Sequence, residues 1–154
     1  MKQIDIGIPL VSTQIVAVGE VTYYTSRASR IDDVIGLIDK LVKEKLSNTG
    51  VEHFGIIGVN KDNDIIGIAL LSKGSDKRTS ASPREVVKHA LMMNATAVFL
   101  FHNHPKDTAA PSKIDIEITQ RIVLACDQLG IDVLDHYIFG TDKTISMYRE
   151  NYID

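Results

Sequence analysis

Segments with helical and with extended hydrophobic spacing alternate along the chain. Residues 1–30 alternate loosely, and the β-branched stretch 14–25 predicts one or two strands. From residue 31, side chains at spacings of three and four predict a helix of roughly fifteen residues. These side chains are Ile35, Ile38, Leu41, Val42 and Lys45. The segment "SNTG" at 47–50 ends this helix.

A hairpin and a second helix are predicted next. The β-rich runs "HFGIIGVN" and "IIGIALLS" flank a short polar segment, 61–64, which is typical of a β-hairpin. At "SPRE", Ser82 is predicted to cap a helix, Pro83 to occupy its first position and Glu85 to complete a capping box. The predicted buried face of this helix comprises Val86, Val87, Ala90 and Leu91.

The last part of the chain predicts a strand, a helix and two closing strands. The apolar run 96–101 is too short for a helix and indicates a strand covered on both faces. A helical stripe follows and stops at Gly130. Its members are Ile114, Ile118, Ile122, Ala125 and Leu129. The segments "IDVLDHYIFG" and "TISMY" predict the closing strands. This order predicts an α/β or α+β fold, a layered sandwich with a central mixed β-sheet flanked by helices.

Length and composition indicate one globular domain. A chain of 154 residues is expected to form a single domain over 1–154, with N-terminal strands and a helix in 1–50 and a motif-bearing core in 51–148. Hydrophobic residues at 44% and charged residues at 24% are typical of globular proteins. The net charge of −3 gives no general attraction to polyanions, so nucleic-acid binding is possible but has no support from charge.

Cysteine use and hydropathy favour a cytoplasmic protein. Cys126 is the one cysteine, so no internal disulfide can form, and it is expected in the core. The first residues show no signal-peptide pattern, and nowhere do about 18 apolar residues follow one another. We therefore expect no membrane association. The oligomeric state is not predicted.

The stretch "HNHPKDTAAPSKID" carries the candidate chemistry. Alternate side chains of a strand share a face, so His102 and His104 can direct their imidazoles to one point while Asn103 turns away. Pro105 lets the chain leave the sheet, and Asp115 in the next helix can return as a third ligand. Two imidazoles, one carboxylate and an open fourth position are typical of catalytic zinc, which lowers the pKa of bound water to about 7.

A purely structural interpretation of the same residues is also open. Ser112 followed three residues later by Asp115 forms a capping box, and two histidines at a strand end can be ordinary surface residues. The two interpretations can coexist, with Asp115 as a ligand and Ser112 both capping the helix and facing the site.

The motif resembles that of a known superfamily. His102-x-His104-Pro105, then six residues and Ser112-x-x-Asp115, is similar to the signature of the JAMM (MPN+) metalloproteases, which include deubiquitinating isopeptidases. Over roughly 52–146 the chain is more similar to the bacterial RadC-like branch. The resemblance implies a JAMM/MPN-like fold and one zinc ion held by the two histidines and the aspartate. It also implies that Ser112 steadies the oxyanion of the tetrahedral intermediate.

The resemblance further implies an upstream glutamate that holds the zinc-bound water and shuttles its proton. We assign this role to Glu52 in "VEHFGIIGVN". Glu20 and Glu85 are alternatives, although Glu85 has a predicted capping role and Glu20 lies outside the similar region. The chain departs from RadC-like loops at residues 106–107, where "KD" replaces a small serine-glycine pair, and this change bears on substrate access.

Together with these residues, the resemblance implies a zinc-dependent metallopeptidase that cleaves an amide or isopeptide bond in a peptide, a protein or a small conjugate. The alternative is a DNA-associated accessory or interaction module with a structural or vestigial metal site. His53 is expected at the surface and His89 in solvent. His136 is expected to pack in its strand and donate to a backbone carbonyl, in preference to a supporting role with Asp135 beside the metal.

Overall fold

The computed structural model describes residues 34–42, 46, 50–74 and 82–153. The strands predicted within 14–25 and the stripe residue Lys45 lie outside these ranges. The helices are α1 (Val34–Leu41), α2 (Pro83–Met92) and α3 (Lys113–Asp127). The strands are β1 (Glu52–Val59), β2 (Ile65–Gly74), β3 (Ala97–Asn103), β4 (Asp132–Phe139) and β5 (Thr144–Ser146). In the described part of the chain, no helix combines the length and the apolar character needed to cross a membrane.

The five strands form one mixed sheet in the order β2-β1-β3-β4-β5. β1 runs antiparallel to both β2 and β3, and β4 runs antiparallel to β5. Among the strands of the described residues, β3 and β4 form the one parallel pair. Parallel neighbours need a crossover connection, and α3 supplies it. The predicted α/β layered fold with a central mixed sheet is confirmed.

Helices cover both faces of this sheet. On one face of the sheet, α1 packs against a first core cluster. The strand residues of this cluster alternate along each strand with those that point to the opposite face. On the other face α2 and α3 cover a second core cluster. Every residue of β3 is buried, which confirms a strand covered on both sides. The first cluster includes Leu37, Ile38, Ile57, Phe99 and Phe101, and the second includes Phe54, Ile56, Val86, Leu100 and Ile122.

The predicted hairpin is present between β1 and β2. Asn60 Oδ1 accepts hydrogen bonds of 2.9 Å from the backbone N–H groups of Asp62 and Asp64, and this folds the turn. Asn63 adopts φ 63°, a left-handed conformation that asparagine tolerates better than most residues. The polar segment between the runs therefore turns the chain as its composition predicted.

Two predicted helix faces were partly wrong. Leu91 of α2 is 55% exposed, and only Val86 and Ala90 of its predicted face are fully buried. In α3 the buried residues are Thr119, Ile122 and Cys126, while Ile114 is 65% exposed. At about 100° per residue, Ile114 lies roughly 80° around the helix from Ile122, away from the side that Thr119 and Cys126 occupy. Leu129, 51% exposed, lies beyond the end of α3.

The start of α2 also differs from its prediction. Ser82 is the N-cap residue but its side chain makes no capping hydrogen bond. Glu85 does not complete a capping box, and its carboxylate lies 3.3 Å from Lys88 Nζ instead. His89, expected in solvent, is partly buried, and its Nδ1 lies 2.8 Å from the carbonyl oxygen of Glu85.

Candidate metal centre

Four ionisable side chains from three elements meet at one end of the sheet. Glu52 begins β1, and Asp115 lies in the first turn of α3. His102 lies at the end of β3, and His104 follows directly after this strand. Because β1 and β3 are antiparallel neighbours, the start of one strand lies beside the end of the other. One ligand atom from each residue lies within 4.8 Å of those of the other three. The structure thus brings together four of the five predicted site residues in a single cluster.

The distances among three of these groups fit a small divalent cation. His102 Nε2 lies 2.9 Å from His104 Nε2 and 3.6 Å from Asp115 Oδ1, and His104 Nε2 lies 3.7 Å from Asp115 Oδ2. A tetrahedral zinc ion with ligand distances of about 2.0–2.1 Å needs donor atoms roughly 3.3 Å apart. Imidazole nitrogen and carboxylate oxygen are also donors that zinc accepts. The donor set and its spacing therefore fit the ion that the sequence predicted.

Burial keeps His102 in its neutral, ligating form. The side chain is 1% exposed, and desolvation lowers its pKa to about 4, although the charge of Asp115 opposes this shift. Burial alone would raise the pKa of Asp115. Hydrogen bonding with His104, the nearby His102 and hydrogen bonds with Ser112 instead hold the pKa of this carboxyl well below its usual range. Asp115 is consequently an anion at neutral pH, as a metal ligand must be.

His104 is held by a carbonyl from the loop that follows it. Its Nδ1 lies 2.7 Å from the carbonyl oxygen of Thr108, and a carbonyl can only accept, so Nδ1 carries a proton. Its Nε2 consequently points into the cluster. Hydrogen bonding to Asp115 raises the pKa of His104, partial burial opposes this shift, and the Thr108 carbonyl and the charge of Glu52 add to it.

The 104–112 loop is attached to the turn between β4 and β5. His104 donates its backbone N–H to the carbonyl of Phe139 at 2.7 Å, and Thr141 donates to the carbonyl of Asp107 at 2.9 Å. Asp142 Oδ1 accepts from the backbone N–H of Ala109 at 2.9 Å. These bonds fix the carbonyl on which the orientation of His104 depends.

Ser112 and Asp115 form the predicted capping box. Asp115 Oδ2 accepts from the backbone N–H of Ser112 at 2.7 Å, and Ser112 Oγ accepts from that of Asp115 at 3.2 Å. Each cap interaction uses an acceptor lone pair, so neither consumes the hydroxyl proton of Ser112. Asp115 Oδ1 and Oδ2 still lie beside the two histidines. Asp115 therefore caps α3 and belongs to the cluster at the same time.

His53 was expected at the surface, and this prediction was wrong. The residue is 5% exposed, because β1 lies between β2 and β3 and both faces of the sheet are covered there. Its neighbour Phe54 points to the α2–α3 face and stacks on His102, with ring centroids 6.1 Å apart. Phe54 thus forms an apolar wall of the cluster.

The prediction for His136 was half right. The residue is fully buried in β4, but both nitrogens of its ring lie within hydrogen-bond distance of other side chains, and neither donates to a backbone carbonyl of the described residues. His136 Nε2 lies 2.8 Å from His102 Nδ1, and His136 Nδ1 lies 2.7 Å from Thr119 Oγ1. Asp135 instead accepts from the backbone N–H of His136 at 2.7 Å. His136 therefore supports the cluster from behind, which was the less favoured alternative. In these hydrogen bonds Asp135 contacts the backbone of His136 and not its ring.

Sequence reasoning missed two buried polar residues around the cluster. Thr119 donates its hydroxyl to the carbonyl of Asp115 at 2.6 Å, and Asn103 bonds to the backbone on both sides of Glu52. Thr119 interrupts an otherwise apolar helix face, which was the one available signal. For Asn103 the signal was an amide close behind the apolar run 96–101, which was expected to be buried.

The chain is thus a layered α/β domain with a candidate metal site at one end of its sheet. The RadC-like JAB domain matches residues 31–152, and the chain therefore belongs to the RadC-like JAB domain family, within the JAMM/MPN group.

Relatives support this membership. A UPF0758 protein of Caldanaerobacter subterraneus is 40% identical over 123 residues, which cover 80% of this chain and 51% of that protein. UPF0758 proteins of Coprothermobacter proteolyticus and Staphylococcus haemolyticus are 33% and 36% identical over 86% and 76% of this chain, and the matched parts are 56% and 51% of those proteins. The chain thus spans about half the length of these curated relatives.

Proposed function

We propose that this protein is a zinc-dependent metallohydrolase that cleaves an amide or isopeptide bond. The observation that carries the proposal is the convergence of His102, His104, Asp115 and Glu52, whose ligand atoms lie within 4.8 Å of one another. Membership of the RadC-like JAB domain family supports it. Its substrate is a peptide, a protein or a small conjugate, and its proposed location is the cytoplasm.

His102, His104 and Asp115 would hold the ion. Three protein ligands are the usual number at a catalytic zinc, whereas a structural zinc takes four. When bound, zinc supplies a polarising charge for a carbonyl oxygen and makes a bound water acidic at neutral pH. The buried, neutral His102 and the anionic Asp115 are already in the protonation states that such binding requires.

Glu52 is assigned as the proton-transfer group. Its carboxylate lies in the cluster, and its charge contributes to the raised pKa of His104. From this position the carboxylate accepts a proton from the attacking water and later delivers it to the leaving amine. A positioned group of this kind contributes about 10²–10⁴-fold to a rate. Glu85, an alternative considered from the sequence, pairs with Lys88 on α2 and does not belong to the cluster.

Ser112 is assigned as the donor to the developing oxyanion. Its hydroxyl oxygen accepts a hydrogen bond from the cap and keeps its proton for a second partner. The residue is exposed, so an incoming carbonyl oxygen can reach the hydroxyl. Loss of one such donor costs about 10²–10³-fold in rate.

Metal analysis and hydrolysis by matched variants test the proposal. We expect purified full-length protein to bind one zinc ion per chain, His102→Ala and Asp115→Ala to lose it, and His89→Ala on α2 to keep it. Fluorogenic peptide amides and ε-linked lysine isopeptides are the probes for hydrolysis. The absence of stoichiometric transition metal in the wild type, or equal hydrolysis by His102→Ala, contradicts the proposal. Salt-dependent binding of duplex DNA at low micromolar concentration, with no hydrolysis, favours the DNA-associated alternative.

A further inference from the structure

A line of hydrogen bonds behind the cluster connects two of its members. His102 Nδ1 lies 2.8 Å from His136 Nε2, and His136 Nδ1 lies 2.7 Å from Thr119 Oγ1. Thr119 Oγ1 lies 2.6 Å from the backbone carbonyl of Asp115. His102, His136 and Thr119 are all essentially inaccessible to solvent. The line begins on one candidate ligand, crosses from β3 to β4 and α3, and ends on the backbone of another.

The last group in the line sets its direction. A carbonyl oxygen can only accept, so Thr119 donates its single hydroxyl proton to Asp115. The Thr119 oxygen must then accept from His136, which places a proton on His136 Nδ1. With that proton in place, the neutral form of His136 offers a lone pair at Nε2 and accepts from Nδ1 of His102.

The consequence concerns the other nitrogen of His102. A neutral imidazole that carries its proton on Nδ1 has a free lone pair on Nε2. His102 Nε2 is the atom that faces His104 and Asp115 in the cluster. The direction of the line is thus the one that coordination through Nε2 requires. Metal-binding histidines usually donate their second N–H to a carboxylate, a carbonyl or water, and here the acceptor is a second histidine.

We propose that Thr119 and His136 are positioning residues that fix His102 in its Nδ1–H tautomer, with the Nε2 lone pair held toward the metal site. The line also connects the tautomer of His102 to the first turn of α3, which carries Asp115. This inference rests on the proposed function only in taking His102 as a metal ligand.

Ring 15N NMR on the metal-free full chain tests the tautomer directly and needs neither a substrate nor a variant. At pH 8 we expect His102 and His136 both to carry their proton on Nδ1. A proton on Nε2 of either ring overturns the proposal. Because the measurement is made without metal, it decides the inference even if the protein proves not to hydrolyse any amide.

A pair of Thr119 variants tests the effect on zinc affinity. Thr119→Val replaces the hydroxyl by a methyl group of similar size and removes both the acceptor for His136 and the donor to Asp115. Thr119→Ser keeps the hydroxyl. In competition with a chelator we expect Thr119→Val to bind zinc about 10–100-fold more weakly than the wild type, and Thr119→Ser to remain within about threefold.

The same variants distinguish positioning from packing. In Thr119→Val we expect His102 to show a mixture of tautomers, which a loss of packing alone does not produce. Equal zinc affinity of the two variants, or an unchanged Nδ1–H signal of His102 in Thr119→Val, contradicts the proposal. Weak zinc binding with normal tautomers in the wild type counts against the zinc hydrolase and leaves the tautomer assignment standing.

Discussion

Asn103 Oδ1 accepts a hydrogen bond of 2.8 Å from the backbone N–H of His53. Its Nδ2 donates to the carbonyl of Val51 at 3.2 Å, so one side-chain amide holds the two peptide groups that flank Glu52. The last backbone pair between β1 and β3 is Phe54 with His102, and the Asn103 amide extends this ladder beyond it. The residue between the two histidines therefore sets the position of the proposed proton-transfer group relative to the proposed ligands.

Asn103→Ala is expected to lower the free energy of unfolding by about 1–3 kcal/mol, because the buried N–H of His53 loses its acceptor. Urea denaturation measures this change. Gln120→Ala, an exposed position on α3, is the control and should stay within about 0.5 kcal/mol of the wild type. Equal stability of the two variants would show that the Asn103 amide does not hold β1.

Glu52→Gln is expected to slow amide hydrolysis by about 10²–10⁴-fold, because an amide cannot accept the proton of the attacking water. Zinc content should stay at one ion per chain, since three other residues are the proposed ligands. Rates on a fluorogenic peptide amide and metal analysis provide the two readouts. Glu85→Gln is the matched control and should keep the wild-type rate. Loss of zinc from Glu52→Gln would instead make Glu52 a ligand.

Three features that depend on neighbouring residues in the sequence were predicted correctly, whereas the capping box predicted at Ser82 and Glu85 did not form. The "KDND" turn, the continuous apolar run of β3 and the Ser112–Asp115 capping box each follow from local chemistry, and all three are present. The same holds for the strand spacing that directs His102 and His104 to one point. The cluster could be anticipated because His102 lies at the end of β3, His104 follows two residues later, and Asp115 lies in the first turn of the next helix.

Features that depend on strand pairing were not predictable from spacing. His136 contacts His102 because β3 and β4 are parallel neighbours. The sheet pairs His136 with Leu100, which lies two residues before His102 in β3. Likewise, His53 is buried because β1 is an inner strand, whereas the sequence shows only its local alternation. The residues that support the cluster thus come from contacts distant in sequence.

Substitutions of Ser112 should separate capping from catalysis. Ser112→Ala removes both the N-cap acceptor and the proposed oxyanion donor, so we expect a loss of about 0.5–2 kcal/mol in unfolding free energy and a rate loss of about 10²–10³-fold. Ser112→Asn keeps a good N-cap but lacks the hydroxyl. It should therefore keep wild-type stability and still show the rate loss. Wild-type hydrolysis by Ser112→Asn would limit Ser112 to its capping role.

Stability of the metal-free protein should fall as the pH falls from about 6.5 to 4. Burial lowers the pKa of His102 to about 4 and that of His136 well below its ordinary 6.5. Between these values the unfolded chain binds more protons than the folded chain, so unfolding becomes easier as the solution becomes more acidic. The expected loss is on the order of 2–3 kcal/mol for His102.

The other members of the cluster act in different pH ranges. His104 has a raised pKa, so its contribution is complete below 6.5 and is lost as the pH rises through its folded value. The lowered pKa of Asp115 gives a contribution that is lost only below its ordinary 3.8. Urea denaturation of chelator-treated protein between pH 8 and 4 measures the sum, with His89→Gln as the control that should keep the same slope. Constant stability from pH 6.5 to 4 would contradict the buried, neutral state of His102 and His136.

Gly140→Ala should weaken zinc binding without touching any proposed ligand. A Cβ at this position would lie 2.1 Å from the backbone nitrogen of Ala109 and 2.5 Å from the carbonyl carbon of Thr108. Both atoms belong to backbone that cannot rotate away, so the 104–112 loop must move. The carbonyl of Thr108 then leaves Nδ1 of His104, and zinc affinity should fall about tenfold, as is common when the partner of a metal-binding histidine is lost.

The control for this substitution is Gly67→Ala in β2, where the nearest atom to a Cβ is the flexible Met93 sulfur at 3.4 Å. It should keep zinc affinity within about threefold of the wild type. Loss of a residue that orients a metal ligand commonly costs about 10–100-fold in affinity, and Gly67→Ala disturbs no such residue. Competition with a chelator measures affinity in both variants, and thermal unfolding shows that each is folded at the temperature used. If Gly140→Ala binds zinc as tightly as Gly67→Ala, the loop is not the element that orients His104, and the imidazole must be held by the cluster itself.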